Sequence, residues 1–357
     1  MEQKNLIVLT GPTAAGKTKL SIALAKRIGA EIISADSMQV YRGMDIGSAK
    51  IRPEEMEGVK HHLIDVLDPS QPFDVVQFQR LAKEAIDEIT GRGRIPVIVG
   101  GTGFYIQSVI YDIDFGSGDS DDSDRSFRRM LEEKDPYVLH AMLEKADPEA
   151  ALAIHPNNVR RTIRALEYLQ QTGGKISEHN RREREKESPY QLRYFVLTED
   201  RARIYERIDR RVDRMLEEGL ENEVRTLVKQ GMTSGMTSMK GLGYAEMLRY
   251  LSGEIPYEEA VRLIKRNTRH FAKRQLTWFR REKNVIWIDR GEYGCDDGRI
   301  LERMLSIING SSSLKEYGNH FASGPERDRI PEGSKQSGNH PGQEPEDSRM
   351  RKDGKNT

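Results

Sequence analysis

Short apolar runs recur along the chain: Leu6-Ile7-Val8-Leu9, Glu31-Ile32-Ile33-Ser34-Ala35, His62-Leu63-Ile64-Asp65-Val66, Ile95-Pro96-Val97-Ile98-Val99, Leu192-Arg193-Tyr194-Phe195-Val196-Leu197 and Val285-Ile286-Trp287-Ile288. Short runs of this kind between turn residues read as strands buried on both faces, as in a parallel sheet. Between them the hydrophobic period becomes helical. Leu20-Ser21-Ile22-Ala23-Leu24-Ala25 follows the first strand, and 74–89 carries Val75, Phe78, Leu81, Ala82, Ala85 and Ile89 on one face. A short helix is predicted after Gly103, and long helical stretches over 202–230 and 257–282. Such alternation predicts an α/β fold around a central, mostly parallel sheet.

The alternation stops after Tyr111. Residues 116–124 have linker composition, and several helices then run to about 187, jointed at Asp135-Pro136, Asp147-Pro148 and His155-Pro156. The pattern divides the chain into a first core part (1–112), an all-helical insertion (113–187), a mostly helical continuation of the core with returning strands (188–310) and a tail (311–357). The tail is rich in Ser, Gly, Asn, Pro and charge with almost no apolar periodicity, and is expected to be disordered.

One stretch carries strong chemistry. Gly11-Pro12-Thr13-Ala14-Ala15-Gly16-Lys17-Thr18 matches G-x-x-x-x-G-K-[ST], with the strand before it and the helix after it that the motif requires. Gly11 and Gly16 let the backbone wrap an anion with its N–H groups inward, and the helix N-terminus adds partial positive charge. Lys17 supplies a mobile cation, and the Thr18 hydroxyl is suited to a Mg2+ ion bridging two phosphates. The expected ligand is a di- or triphosphate; the motif alone leaves open whether a phosphate is transferred or departs.

Composition narrows the setting. The 357 residues allow two modest domains; 32% are charged and 36% apolar, and no apolar run approaches the ~20 residues of a membrane span. The first strand begins almost at once after Met1, leaving no room for a secretory signal, and Cys295 is the only cysteine, which excludes intrachain disulfides and cysteine zinc clusters. A cytoplasmic monomer with no membrane contact is expected. The 57 basic and 57 acidic residues cancel overall, yet basic residues crowd into 160–186 and 262–283 and acidic ones into 112–124. Local basic patches suffice to bind a polyanion.

Open α/β sheets bind ligands at the carboxyl ends of their strands, so the loop Asp36-Ser37-Met38-Gln39-Val40-Tyr41 is expected to share a crevice with the P-loop, and Gly100-Gly101-Thr102-Gly103 to repeat that design. Asp36 is a candidate general base, with a turn or cap aspartate as the alternative. Thr102 is a candidate for holding substrate through its hydroxyl, with a helix N-cap as the alternative. His61 and His62 stay open between packing and ligand contact. Two rival functions fit parts of this pattern: a P-loop kinase for a small molecule or nucleotide, in which Asp36 would activate a hydroxyl, and a nucleic-acid binding module switched by its P-loop.

Taken together the blocks resemble the tRNA dimethylallyltransferases, P-loop prenyltransferases also called tRNA isopentenyltransferases. The resemblance is carried by the P-loop, 36–41, Gly43-Met44-Asp45-Ile46-Gly47-Ser48-Ala49-Lys50, His61-His62-Leu63-Ile64-Asp65, Gly100-Gly101-Thr102-Gly103-Phe104-Tyr105, 157–167, Gly241-Leu242-Gly243-Tyr244 and Arg274-Gln275-Leu276-Thr277-Trp278-Phe279-Arg280. Ser48 stands where the family usually has Thr, and Lys240 where many members have Arg or Gln. The resemblance implies transfer of a dimethylallyl group from dimethylallyl pyrophosphate to N6 of the adenine at tRNA position 37, 3′ of the anticodon, with Mg2+. It implies Asp36, Thr102, Lys17 and Arg211 as catalytic residues, and Gly11, Pro12, Thr13, Ala14, Ala15, Gly16, Lys17 and Thr18 as the pyrophosphate or nucleotide cradle. Contacts to the tRNA anticodon stem-loop would come from Asp36, Ser37, Met38, Gln39, Thr102, Arg128, Arg160, Arg161, Arg164 and Lys240. Arg211 and the basic helices have a solvated face as their alternative reading.

Overall fold

The structure is a computed structural model that describes residues 3–115 and 122–310; the tail at 311–357 and most of the expected linker lie outside the described residues. Six strands, β1 (Asn5–Thr10), β2 (Ala30–Ala35), β3 (His61–His62), β4 (Ile95–Gly100), β5 (Gln191–Thr198) and β6 (Val285–Asp289), pair in parallel in the order β3-β2-β4-β1-β5-β6. The helices are α1 (Lys17–Ile28), α2 (Val75–Gly91), α3 (Gly103–Ile110), α4 (Asp122–Glu132), α5 (Pro136–Ala146), α6 (Pro148–Ala153), α7 (Val159–Thr172), α8 (Ile176–Glu185), α9 (Arg201–Glu217), α10 (Leu220–Lys229), α11 (Tyr244–Leu251), α12 (Tyr257–Phe279) and α13 (Asp297–Asn309).

Alternation along the strands separates two cores. Leu6, Val8, Ile33, Ile98, Tyr194 and Val196 face a layer that includes Phe78 and Ile86 of α2, Ile106 of α3, Val212 of α9 and Ile264 of α12. Ile7, Leu9, Ile32, Val97, Phe195 and Leu197 face Leu20 and Leu24 of α1 and Ile300 and Met304 of α13. With both faces covered, the central strands can be apolar at nearly every position, which is why they read as unbroken hydrophobic runs. Among the described residues, no helix is long and apolar enough to cross a membrane.

The helices α4 to α8 bury a core of their own, built on Leu131, Leu139, Leu143, Ile163 and Leu166. Their joints are polar caps: Asp135 accepts the Tyr137 N–H, and Asp147 accepts from Ala150 while its carboxylate also ties Ser177 at the start of α8. Lys186 Nζ donates to the Asp112 carbonyl and the Asp114 N–H to Glu183, which pins the two chain crossings into this layer together.

Two expectations are corrected. The strand expected from His62 to Val66 is only His61–His62, because Leu63 and Asp65 take positive φ (63° and 55°) and turn the chain away from the sheet. The long helical stretch expected over 202–230 is two helices, α9 and α10, parted at Gly219, whose φ is 99°. The open histidines are engaged: His62 Nε2 lies 2.7 Å from Glu31 Oε2, and His61 Nδ1 lies 2.9 Å from the Val59 carbonyl. Burial pushes the Glu31 carboxyl up, and bonds from Arg92 and His62 more than reverse it, holding the carboxyl below its usual range.

The close approach of β4 to β2 at their carboxyl ends requires Gly100. A Cβ there would overlap the Ala35 carbonyl, whereas one on Gly91, at the end of α2, would meet nothing within 4 Å. Gly100→Ala is therefore expected to destabilise by about 3 kcal/mol or more through forced strand separation, and Gly91→Ala to be neutral or stabilising by up to about 1 kcal/mol. Urea unfolding of the two variants checks the contrast.

Candidate active site

Parallel pairing ends β1, β2 and β4 on one side of the sheet, and four hydrogen bonds join the strand ends and the loops that follow. Thr10 Oγ1 donates to the Gly100 carbonyl (2.7 Å) and the Thr102 N–H to the Ala35 carbonyl (3.3 Å). Gln275, buried in α12, accepts the Thr13 N–H at 2.8 Å and donates to the Gly101 carbonyl at 2.9 Å. Asp36, Thr102 and the P-loop are thus brought to one crevice. Gln275 is a site residue that motif reasoning left without a role, since it lies 262 positions from Thr13.

In the P-loop, Gly16 caps α1 in the left-handed region (φ 85°), which turns the chain from cradle to helix. Lys17 Nζ donates to the carbonyls of Gly11 (3.0 Å) and Pro12 (2.8 Å). Burial of this ammonium, reinforced by the Arg211 cation and opposed by Asp36, brings its pKa down to about 7. Arg211 Nη1 donates to Thr13 Oγ1 at 3.1 Å, so the arginine expected in the site does reach the cradle. Burial lowers the pKa of its guanidinium, with Asp36 pulling the other way.

Asp36 Oδ1 accepts the N–H groups of Met38 (2.9 Å) and Gln39 (3.4 Å), a local turn that fixes the carboxylate plane. The turn geometry weighed for Asp36 is therefore present, and both of these bonds fall on Oδ1. Thr102 does occupy the N-cap position of α3, and its hydroxyl makes no capping bond there. Tyr105, buried in the core beneath this region, stacks on Phe78 at 4.6 Å, and its hydroxyl pKa is raised by burial and by the nearby Asp74, Tyr41 and Asp36.

The loop after β2 is braced from behind. Lys50, buried, donates to the Tyr41 carbonyl, Asp45 and Asp65 at 2.6, 2.6 and 2.5 Å. Glu223 of α10 accepts the N–H groups of Asp45, Ile46 and Gly47 and the Tyr244 hydroxyl (2.9, 2.8, 3.1 and 2.7 Å). Gln39 is tied into the same loop through Ser34 and the Ala49 carbonyl. Ser37 and Met38 are partly exposed, and a Cβ on Gly241 would lie 2.6 Å from Met38 Sδ, which brings the exposed Lys240 beside them.

Arg160, Arg161 and Arg164 lie exposed on α7, and Arg164 makes one long bond, 3.4 Å, to the Phe115 carbonyl. Arg128 is paired with Glu167 (3.1 Å to each oxygen) and Glu132 (3.0 Å). The oxygen donors at the crevice suit a hard divalent ion. Thr18 is exposed in the first turn of α1, and no cluster of three His, Cys, Asp or Glu able to hold a metal occurs among the described residues. A Mg2+ ion here would complete its shell from phosphate oxygens and water, its ordinary habit at a P-loop.

The family model described as IPP transferase matches residues 39–282, and the one described as Isopentenyl transferase matches 4–71. The tRNA dimethylallyltransferase of Lachnoclostridium phytofermentans is 57% identical over 314 residues, 87% of this chain and 99% of that protein. That of Geobacillus thermodenitrificans is 49% identical over 287 residues, 80% of this chain and 90% of that protein. The crystal structure of the full-length tRNA isopentenylpyrophosphate transferase from Bacillus halodurans superposes with a TM-score of 0.62 at 45% identity, covering 86% of this chain and 100% of that one. A eukaryotic dimethylallyltransferase captured acting on tRNA superposes with a TM-score of 0.76 at 30% identity, covering 86% and 79%.

The lowered Lys17 pKa has a stability signature. The unfolded chain keeps the Lys17 proton up to about 10.5 while the folded chain sheds it near 7, so the unfolded state binds more protons across that window. Folding stability should gain from Lys17 as pH rises from 7 to about 10. Denaturant titrations at pH 6.5 and 9.5 should show the parent gaining on Lys17→Met over this interval.

Proposed function

The chain belongs to the IPP transferase family, and we propose that its crevice transfers a dimethylallyl group from dimethylallyl pyrophosphate to N6 of adenine 37 in tRNA, releasing pyrophosphate. The observation that carries the reading is the convergence of one carboxylate, Asp36, with two cations, Lys17 and Arg211, beside a P-loop that Gln275 ties to the Gly101 loop. Phosphoryl transfer from the same crevice is not favoured: the relatives over nearly the whole length are named for prenyl transfer to tRNA. We read the reaction as cytoplasmic, which a tRNA substrate supports.

The N6 amine is a weak nucleophile, its lone pair delocalised into the ring, and it must lose a proton as the new bond forms. In the proposed step N6 attacks the allylic carbon, the carbon–oxygen bond to pyrophosphate breaks, and Asp36 takes the N6 proton. The turn through Met38 and Gln39 N–H groups holds this carboxylate in one orientation, so that Oδ2 is presented to substrate. Thr102, with a hydroxyl not spent on capping, orients the adenine. Lys17, Arg211 and the P-loop amides stabilise the negative charge that grows on the leaving pyrophosphate. Mg2+, held through Thr18, would supply further charge neutralisation of that leaving group.

For the RNA, we read 113–187 as a tRNA-binding insertion that grips phosphates through Arg160, Arg161 and Arg164, with Arg128 joining by exchanging Glu167 for a phosphate. Ser37, Met38, Gln39 and Lys240 would flank the adenine. The base must leave its stack to reach Asp36, which costs least in a single-stranded loop.

Asp36→Ala should slow single-turnover prenylation of an anticodon stem-loop by ~10²–10⁴-fold with tRNA affinity altered much less. An unchanged single-turnover rate removes Asp36 as the base. Replacing Arg160, Arg161 and Arg164 by Ala should weaken tRNA binding and lower its salt slope by roughly one per lost phosphate contact, leaving pyrophosphate binding intact. Fluorescence titrations across a range of salt concentrations measure that slope.

A further inference from the structure

We propose that Arg207 is a positioning residue of the phosphate cradle: it clamps the Ala14 carbonyl and thereby aims the Ala15 N–H into the concave side of the loop. Ala14 has φ 63°, a left-handed conformation that a residue with a Cβ avoids unless its surroundings impose it. The imposing contact is a hydrogen bond of 2.8 Å from Arg207 Nε to the Ala14 carbonyl. Because a trans peptide points its N–H opposite its C=O, the Ala15 N–H is turned across the loop, toward the Pro12 carbonyl at 3.3 Å. That is the side on which a P-loop receives phosphate oxygens.

Arg207 is itself held. Its Nη1 and Nη2 donate to the two oxygens of Glu199 at 3.0 and 2.5 Å. Glu199 directly follows β5, is 6% exposed, and has a second cation, Arg290 Nε, at 3.4 Å. Arg290 is also buried, pairs with Asp297 at 2.8 Å, and backs the far side of the cradle: a Cβ on Gly16 would lie 3.1 Å from its Nη1. Arg207 therefore uses one edge of its guanidinium for Ala14 and the fork for Glu199. A lysine would bring a single nitrogen to the span that Nε, Nη1 and Nη2 cover together, so it does not reproduce the planar fork on Glu199 while reaching Ala14. Arg207 lies one turn before Arg211 on α9, so one helix face serves the loop twice, through the Thr13 hydroxyl and through the Ala14 carbonyl.

The inference rests on the reading that the P-loop holds the pyrophosphate, and the experiment separates the two. Inorganic pyrophosphate is titrated calorimetrically, with magnesium, into the full chain and into Arg207→Met, Arg207→Lys and the double variant Arg207→Met/Ala14→Gly, with a thermal melt of each. Expected are binding by the parent, a loss of about tenfold or more in Arg207→Met and in Arg207→Lys, and a recovery of about half of that loss or more in the double variant, since glycine holds the left-handed conformation without a clamp. A merely structural arginine would lower the melting temperature, and Ala14→Gly would return no affinity; that result overturns the clamp. So does unchanged affinity in folded Arg207→Met. If Arg207→Met fails to fold, Glu199→Gln, which loosens the brace and keeps the arginine, is tested with and without Ala14→Gly under the same criteria. No pyrophosphate binding by the parent overturns the cradle reading and the clamp with it.

Discussion

The contact on which the crevice depends is the paired hydrogen bond of Gln275, whose amide accepts from the Thr13 N–H and donates to the Gly101 carbonyl. Parallel pairing of β1 with β4 and of β4 with β2 puts three loops at one edge of the sheet, but topology alone leaves their spacing loose. Gln275 sets it, because a planar amide with one donor edge and one acceptor has a fixed span. Its own position follows from α12, a 23-residue helix whose buried face packs against α3, α9 and α11. The packing of that helix is thus transmitted to the P-loop and to the loop that carries Thr102.

Charge is the second organising quantity. A site for a departing pyrophosphate needs several cations close together, and several cations close together repel. The structure handles this by placing a carboxylate against each group of cations: Asp36 near Lys17 and Arg211, Glu199 between Arg207 and Arg290. Burial, with the Arg211 cation adding to it, still brings the Lys17 pKa down to about 7. Glu199 loses most of its solvation, yet the arginines hold its carboxyl below the usual range. On the neighbouring loop Lys50 and Glu223 do the same in miniature, one cation gathering oxygens and one carboxylate gathering N–H groups, so that the loop bearing Asp36 has little freedom.

Much of this was legible along the chain. The P-loop has a fixed spacing between a strand and a helix, and both were visible because a strand buried on both faces is an unbroken apolar run. The corrections have local causes. His62 to Val66 is apolar enough for a strand, yet Leu63 and Asp65 are recruited to packing and to the Lys50 bond, and positive φ ends the strand after His62. Gly219, which divides 202–230, is a signal the sequence did contain, as is the helical spacing of Ile300, Leu301, Met304 and Leu305 in α13.

The chain by itself pointed to most of the strands, the cradle and the candidates Asp36, Lys17 and Thr102, because each belongs to a stretch of a few consecutive residues with its own local physics, whereas Arg211 was indicated only by the family resemblance. Only the tertiary structure decided which distant side chains serve that cradle: Gln275 on Thr13, Arg207 on Ala14, Glu223 on the loop of Asp45 to Gly47. These pairs are separated by 262, 193 and 178 positions. Hydrophobic period and turn chemistry extend over a turn or two of chain and carry no information about partners so remote. What brings them together is the packing of α9, α10 and α12 with one another and with α3 and α11, and that arrangement is a property of the packed cores.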